Sequence, residues 1–253
     1  MLFALKLMLV PAIIAGVTIG GRRWGPRIGG WLNAVPMVAG PVLLFLAIEQ
    51  GAAFAARAAL ATLAGLLGVA AFSVAYGWAA LRAPWWMALA AGWAAFAVCA
   101  LLLHDLPWRP VPALAAAVIG FGLARVALPR PRGKPLQMPP PAWDLPLRMA
   151  VAVALVVTVT GLAGALGPRV SGALTPLPVA TAILLGFTHA QQGAAGAIAF
   201  LRGFLPAMWS FVLFCFVLTV VLVPLGWALG FVAALAAQGF AQALILLALR
   251  AAR

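Results

Sequence analysis

Arginine is the residue type in this sequence that is best placed to do chemistry, because it occurs twice in the same turn. Arg27 closes one Gly-Pro-Arg turn, and Arg169 closes a second copy of it. Gly and Pro fix a tight turn and the start of a helix, so each guanidinium is expected at a helix N-terminus. A cation at that positive end is favoured only when an anion is close. Each arginine is therefore a candidate for binding a substrate anion; the plainer alternative is an arginine that reaches lipid phosphate.

Two prolines follow these arginines at the same spacing and predict a bend in each helix that begins there. Pro36 and Pro178 each remove a backbone hydrogen bond. In transporters such breaks expose backbone groups to a central site, although purely structural kinks are as common. Polar residues lie beside both prolines. The candidate substrate-binding residues are Arg27, Arg169, Asn33, Pro36, Thr175 and Pro178.

A second set of polar residues lies toward the ends of the predicted helices and is the candidate coupling or gating group. Ionisable groups within membrane spans are costly and mark function by default, although a position near the span end lowers the cost. Glu49 and His189 are the pair that could titrate for proton coupling; the alternative is that Glu49 neutralises Lys6 or Arg57. The members of the set are Lys6, Glu49, Arg57, Arg148, His189, Gln192 and Arg202.

Other acidic residues are expected outside the spans, and no enzyme or metal constellation is apparent. Asp144 is expected to cap the helix that it begins. The sequence has no carboxylate pair, no His-x-x-x-His and no nucleophile elbow. Cys99 and Cys215 fall in different apolar runs and have no metal-ligand spacing. We therefore expect no catalysis, no metal and no cofactor.

The elements that carry these residues are predicted to be membrane helices. Hydrophobic residues make up 66% of the chain and charged residues 8%. Apolar runs of about twenty residues follow one another, each long enough to cross ~30 Å of hydrocarbon. We predict an all-α membrane protein of about nine transmembrane helices. Their predicted positions are roughly 2–20, 29–48, 52–81, 84–103, 109–128, 146–166, 171–189, 194–222 and 226–249.

The chain contains one segment twice, which predicts an internal duplication. Gly25 of the first copy corresponds to Gly167 of the second, an offset of 167 − 25 = 142. At this offset Gly-Pro-Arg, a mid-segment Pro and Gln-Gly recur without a gap, which apolar composition does not explain. Four helices on each side of one unpaired helix would give the two copies inverted topology. The predicted divisions are a first four-helix repeat (1–106), a connecting helix (107–128), a Pro/Arg-rich cytoplasmic linker (129–143) and a second four-helix repeat (144–253).

Basic residues predict the orientation and the partners. With the N-terminus outside, 12 of the 16 Lys and Arg residues fall at cytoplasmic helix ends and 4 fall outside, as the positive-inside rule favours. We therefore expect a multi-pass protein of the bacterial inner (cytoplasmic) membrane, with its N-terminus outside and its C-terminus in the cytoplasm. The net charge of +13 then faces anionic lipid head groups rather than nucleic acid. A homodimer is a further possible assembly.

Each half resembles small bacterial inner-membrane proteins of about four helices that belong to uncharacterised, GlpM-like families. The resemblance covers both halves but not the connecting helix or the linker, and it implies architecture without a mechanism or ligand residues. It rests on Lys6, Pro26-Arg27, Gly30, Leu32 and Pro36, and on Arg148, Pro168-Arg169, Gly172, Leu174 and Pro178.

The general form is also similar to the small multidrug-resistance and drug/metabolite transporter group, in which four-helix units work as antiparallel dimers or as fused inverted repeats. Multidrug members of that group use a Glu in the first helix. This chain has Lys6 and Arg148 in the corresponding helices, which disfavours a cation exporter.

Together these features favour a secondary transporter or lipid flippase with inverted repeats, for an anionic small molecule or a phosphate-bearing lipid. Alternating access would occur around the bends at Pro36 and Pro178. The alternative is a non-transporting membrane subunit that supports envelope polysaccharide or lipid assembly.

Overall fold

The computed structural model describes most of the chain as helices joined by short turns. It excludes residues 1, 36–38, 132, 134, 136–142, 152, 155–177 and 252–253, and the side chains of residues 2–11, 13 and 249–251. No strand occurs among the residues that it describes. The all-α part of the predicted fold class is therefore confirmed.

The first half of the chain forms six helices, and the linker is followed by further helical segments. The six are α1 (Leu2–Trp24), α2 (Pro26–Asn33), α3 (Ala39–Gln50), α4 (Ala52–Ala79), α5 (Trp85–Leu103) and α6 (Pro110–Ala127). After the linker, α7 comprises helical residues 144–151 and 153–154. The last helical stretch is Val179–Ala251.

Two glycines divide this last stretch into three helices. Gly193 has φ 71° and ψ −175°, and Gly226 has φ 73° and ψ 172°. These angles lie far from those of an α-helix and in a region that favours glycine. We label the three helices α8 (179–192), α9 (194–225) and α10 (227–251). Gly51, which precedes α4, has nearly the same conformation, with φ 89° and ψ 161°, and it lies 193 − 51 = 142 residues before Gly193.

Several helices are long and apolar enough to cross a membrane. In the part of the chain that the structure describes, four helical stretches are of this kind: Ala52–Ala79, Trp85–Leu103, Pro110–Ala127 and Val179–Ala248. Ala39–Gln50 is a shorter apolar helix. Such helices indicate a membrane-embedded protein. The helices Ala52–Ala79, Trp85–Leu103 and Pro110–Ala127 end within two residues of the predicted spans 52–81, 84–103 and 109–128.

The predicted span 29–48 differs most from the structure. It is divided in two, because α2 ends at Asn33 and a turn at Ala34 and a bend at Val35 follow before α3 begins. This interruption lies where Pro36 was expected to bend the helix. Pro36 itself lies outside the described residues.

The helix α4 is central to the described bundle. It contacts α3, α5, α6 and the stretch that contains α8 to α10. Gly92 of α5 packs against the ring of Phe72, and Gly68 of α4 packs against the ring of Phe96, as expected where small residues let membrane helices approach closely. Large apolar side chains point outward on α5, α6 and α10, where lipid would cover them. Examples are Leu101, Leu123, Val126, Val232 and Phe240.

The short helix α2 crosses α9 at a point where both helices carry glycine. A Cβ atom at Gly203 would lie 1.8 Å from the carbonyl oxygen of Arg27, and one at Gly30 would lie 2.0 Å from the carbonyl oxygen of Phe200. A side chain at either position would therefore collide with backbone. This crossing places Arg27 beside Arg202, the residue that precedes Gly203.

We predict that Gly203→Ala destabilises the protein by about 1–3 kcal/mol or more, because the added methyl group forces α2 away from α9. Gly122→Ala on α6 is the matched control, since a Cβ there has no other atom within 4 Å. Thermal unfolding of both purified variants in detergent measures the difference. Equal unfolding temperatures would show that the crossing is looser than described.

Candidate functional site

A cavity of about 350 Å³ lies between the start of α2, the end of α6 and the first part of α9. We call it the arginine cavity. Three of the described lining residues are arginines. None of the described lining residues is acidic. The lining residues are Arg27, Arg125, Leu128, Pro131, Ala199, Arg202 and Leu205.

Each arginine is positioned at the cavity by the helix that carries it. Arg27 is the second residue of α2, which begins after Gly25 with φ 89° and has Pro26 in its first turn. Arg125 lies in the last turn of α6, and its guanidinium carbon is 6.0 Å from the ring centre of Trp209. Arg202 is brought in by the crossing of α2 and α9.

The electrostatics of Arg202 indicate that an anion would stabilise the cavity. Its terminal nitrogen donates to the carbonyl oxygen of Pro129 at 3.4 Å, but its Nε is buried and finds no acceptor among the described residues. The neighbouring charges that act on it, Arg125 and Arg130, have the same sign. Unsatisfied buried donors and like charges both raise the free energy of the empty site. A bound anion would accept the free N–H and reduce the repulsion.

A second group of charges surrounds the buried carboxylate of Asp144. Its oxygens accept hydrogen bonds from Nε of Arg148 at 3.0 Å and from the side chains of Arg22 and Gln191. Arg148 also donates to Oε1 of Gln191 at 3.2 Å. We call these four residues the Asp144 cluster. It joins the end of α1, the start of α7 and the end of α8.

The carboxylate of the Asp144 cluster is buried and well supplied with hydrogen-bond donors. Burial acts to raise the pKa of Asp144, which precedes the predicted span 146–166. Two effects outweigh burial: the hydrogen bonds and charge of Arg148, and the hydrogen bonds from Arg22 and Gln191. The pKa of this carboxyl therefore lies below its ordinary value. The guanidinium of Arg148 also lies 4.7 Å above the ring centre of Phe187. The cluster therefore serves to hold three helices together rather than to receive a ligand.

Among the described residues, the acid that pairs with arginine is Asp144 and not Glu49. Glu49 is exposed at the end of α3, and it forms no ion pair with Arg57 among the described side chains. Arg57 instead lies 6.0 Å from the ring centre of Phe54. Lys6 is a residue of α1 whose side chain is outside the description, so its ion pair with Glu49 stays a prediction.

His189 contacts a tyrosine of α4. It is buried in α8, and its Nδ1 is 3.1 Å from the hydroxyl oxygen of Tyr76 on α4. Gln192 is half-buried next to the bend at Gly193. The His189 contact does not involve Glu49, and a role for Glu49 and His189 in proton coupling stays a prediction.

Asn33 connects the two predicted spans that carry the prolines. Its Nδ2 donates to Oγ1 of Thr181 at 2.8 Å, which ties the last residue of α2 to the start of α8, just after the buried Pro178. At the same end of α2, the carbonyl oxygen of Trp31 accepts from Nε2 of Gln242 at 2.9 Å. The interruption after α2 is thus lined by polar groups. Pro36, Arg169 and Thr175 lie outside the described residues, and their roles stay predictions.

Sequence reasoning selected Arg27 and Arg202 as candidates but assigned them to separate sets. It did not select Arg125 or Thr181 as site residues. The signal for Arg125 was its place among the basic residues at cytoplasmic helix ends. The signal for the Asp144 cluster was the spacing of four residues between Asp144 and Arg148, which suits a helical ion pair.

We predict that Asp144→Asn destabilises the protein by about 3–5 kcal/mol, because it leaves buried Arg148 without a counter-charge. Asp105→Asn removes a carboxylate whose side chain is 95% exposed, beside His104, and should have little effect. Thermal unfolding in detergent compares the two variants. A similar change in both would contradict the structural role of the Asp144 cluster.

Comparison with known proteins identified no matching family model, no similar curated protein and no similar solved structure. The GlpM-like resemblance of the two halves therefore stays a prediction. The function of the chain is argued from the geometry of its own residues.

Proposed function

We propose that this protein is a secondary transporter or lipid flippase that moves an anionic small molecule or a phosphate-bearing lipid across the bacterial inner membrane. The observation that carries the proposal is the arginine cavity. Three arginines line one space, and no carboxylate is among its described lining residues. A site of this kind selects anions, because guanidinium pairs with carboxylate and phosphate through parallel hydrogen bonds.

The size and place of the cavity support a ligand-binding role. Its volume of about 350 Å³ lies within the usual range for small-molecule sites, about 300–1,000 Å³. It lies among helices that are apolar enough to cross a membrane. Charged groups in such surroundings are costly to keep and are usually functional.

The interrupted helix gives the anion a route toward the middle of the protein. Arg27 is the second residue of α2. The interruption follows Asn33, which lies six residues after Arg27. At 1.5 Å per residue the interruption lies about 9 Å along the helix axis from the cavity. Transporters commonly place their central sites at helices broken in this way. The Asn33–Thr181 contact and the carbonyl of Trp31, which accepts from Gln242, provide polar groups at that depth.

The junctions between helices support two repeats of opposite orientation. Gly51 and Gly193 share one unusual backbone conformation and precede α4 and α9. The next helices begin at Trp85 and at residue 227, which are again 227 − 85 = 142 residues apart. We propose that nine spans form two inverted four-helix repeats, with the N-terminus outside. Arg169 would then face the outer side as Arg27 faces the cytoplasm.

We predict that Arg27→Ala and Arg202→Ala reduce transport by about 10–100-fold, because each removes a charged hydrogen-bond donor worth about 1.5–3 kcal/mol. The protein is reconstituted in neutral liposomes. Flipping of a fluorescent phosphatidic acid and uptake of labelled glycerol 3-phosphate are measured separately. Arg82→Ala is the control, since Arg82 is exposed, carries the same charge and does not line the cavity.

Unchanged transport in the Arg27→Ala protein would show that the site is wrongly assigned. Absence of transport in the wild-type protein, together with a partner that survives detergent extraction, would favour the alternative function. That alternative is a non-transporting subunit that supports envelope polysaccharide or lipid assembly.

A further inference from the structure

We infer that the arginine cavity binds the phosphate monoester head group of a membrane lipid. The inference rests on the proposed function and names the substrate class of the same site. Three features of the cavity carry it: its charge, the chemistry of its remaining walls and its position on the lipid-facing surface.

The charge of the cavity matches a monoester better than other common anions. Arg27, Arg125 and Arg202 line one space. A phosphate monoester has three terminal oxygens and a charge of about −1.5 to −2 near neutral pH. A phosphodiester or a carboxylate has two such oxygens and a single charge. The monoester can therefore give each guanidinium an acceptor oxygen, including the buried Nε of Arg202.

The other described walls of the cavity disfavour larger polar head groups. Besides the arginines, the described lining consists of Leu128, Pro131, Ala199 and Leu205. None of these side chains can hydrogen-bond to a sugar hydroxyl, and none can pair with an ammonium group. A glycosylated or amine-bearing head group would therefore lose its hydration without gaining partners. A bare phosphate monoester places all of its polar atoms on the arginines.

The rim of the cavity lies on the side of α6 that faces lipid. Arg125 is exposed in the last turn of α6, next to Val126, which is 85% exposed, and near Leu123, which is 65% exposed. Trp209 lies against Arg125 and donates its Nε1 hydrogen to the carbonyl oxygen of Val118 at 3.3 Å. Tryptophan and arginine are typical of the membrane interface. A lipid could thus place its phosphate among the arginines while its chains stay against the apolar face of α6.

Binding is tested on the full-length protein in neutral phosphatidylcholine nanodiscs, with lipid adducts measured by native mass spectrometry. The probes are phosphatidic acid, phosphatidylglycerol and glycerol 3-phosphate. We expect one phosphatidic acid per protein, bound at least about tenfold more tightly than phosphatidylglycerol, since the monoester offers the arginines one more terminal oxygen and more negative charge. Arg125→Ala and Arg202→Ala should each weaken this binding about tenfold or more. Arg202→Lys should lose part of it, and Arg82→Ala should leave it unchanged.

Three results would overturn the inference. Equal binding of phosphatidylglycerol would exclude monoester selectivity. Equal binding of glycerol 3-phosphate would show that the lipid chains contribute nothing. An equal loss of binding in Arg82→Ala would place the lipid on general surface charge rather than in the cavity. The first two comparisons use the wild-type protein, so a variant that fails to fold does not affect them.

Binding and transport are measured independently, so their failures can be told apart. If phosphatidic acid binds as expected but is not moved in liposomes, the inference stands and the transport function fails. If phosphatidic acid does not bind while glycerol 3-phosphate is transported in an Arg27-dependent way, the transport function stands and the inference fails.

Discussion

The backbone contact between α2 and α9 is the constraint on which the candidate site depends. Gly30 and Gly203 let the two helices meet at distances that no Cβ atom could occupy. In a bilayer, where lipid is as apolar as the side chains, such close packing is a main source of helix association. Its consequence is electrostatic, because it brings Arg27 to Arg202 and forms one side of the arginine cavity. The structure thus uses small residues to hold like charges close together.

The two groups of arginines differ in whether a carboxylate accompanies them. In the Asp144 cluster, Arg22 and Arg148 share one carboxylate, and Gln191 completes the hydrogen bonds. This cluster is satisfied and ties α1, α7 and α8 together. The described lining of the arginine cavity holds no carboxylate, and Nε of Arg202 has no acceptor among the described residues. The difference separates a structural ion cluster from a site that gains stability when an anion binds.

Much of the helix arrangement could be predicted from sequence, because the signals are local. Apolar runs set the helices, and glycine at Gly51 and Gly193 sets junctions that only this residue accommodates easily. The meeting of Arg27 with Arg125 could not be predicted, because it depends on packing between segments far apart in the chain. Asp144 was interpreted as a helix cap because its local position suits one. Its pairing with Arg22 is visible only in three dimensions.

The most direct test of the account is the orientation of the two repeats, since alternating access requires equivalent turns on opposite faces. Cys99 and Cys215 are first replaced. A single cysteine is then introduced either at Trp24, which is exposed, or at Ser171. Intact cells that carry each variant are treated with a membrane-impermeant thiol reagent. The account predicts labelling at position 171, and labelling at position 24 only after permeabilisation. Labelling of both positions, or of neither, in intact cells would place the two turns on one side and contradict the inverted repeats.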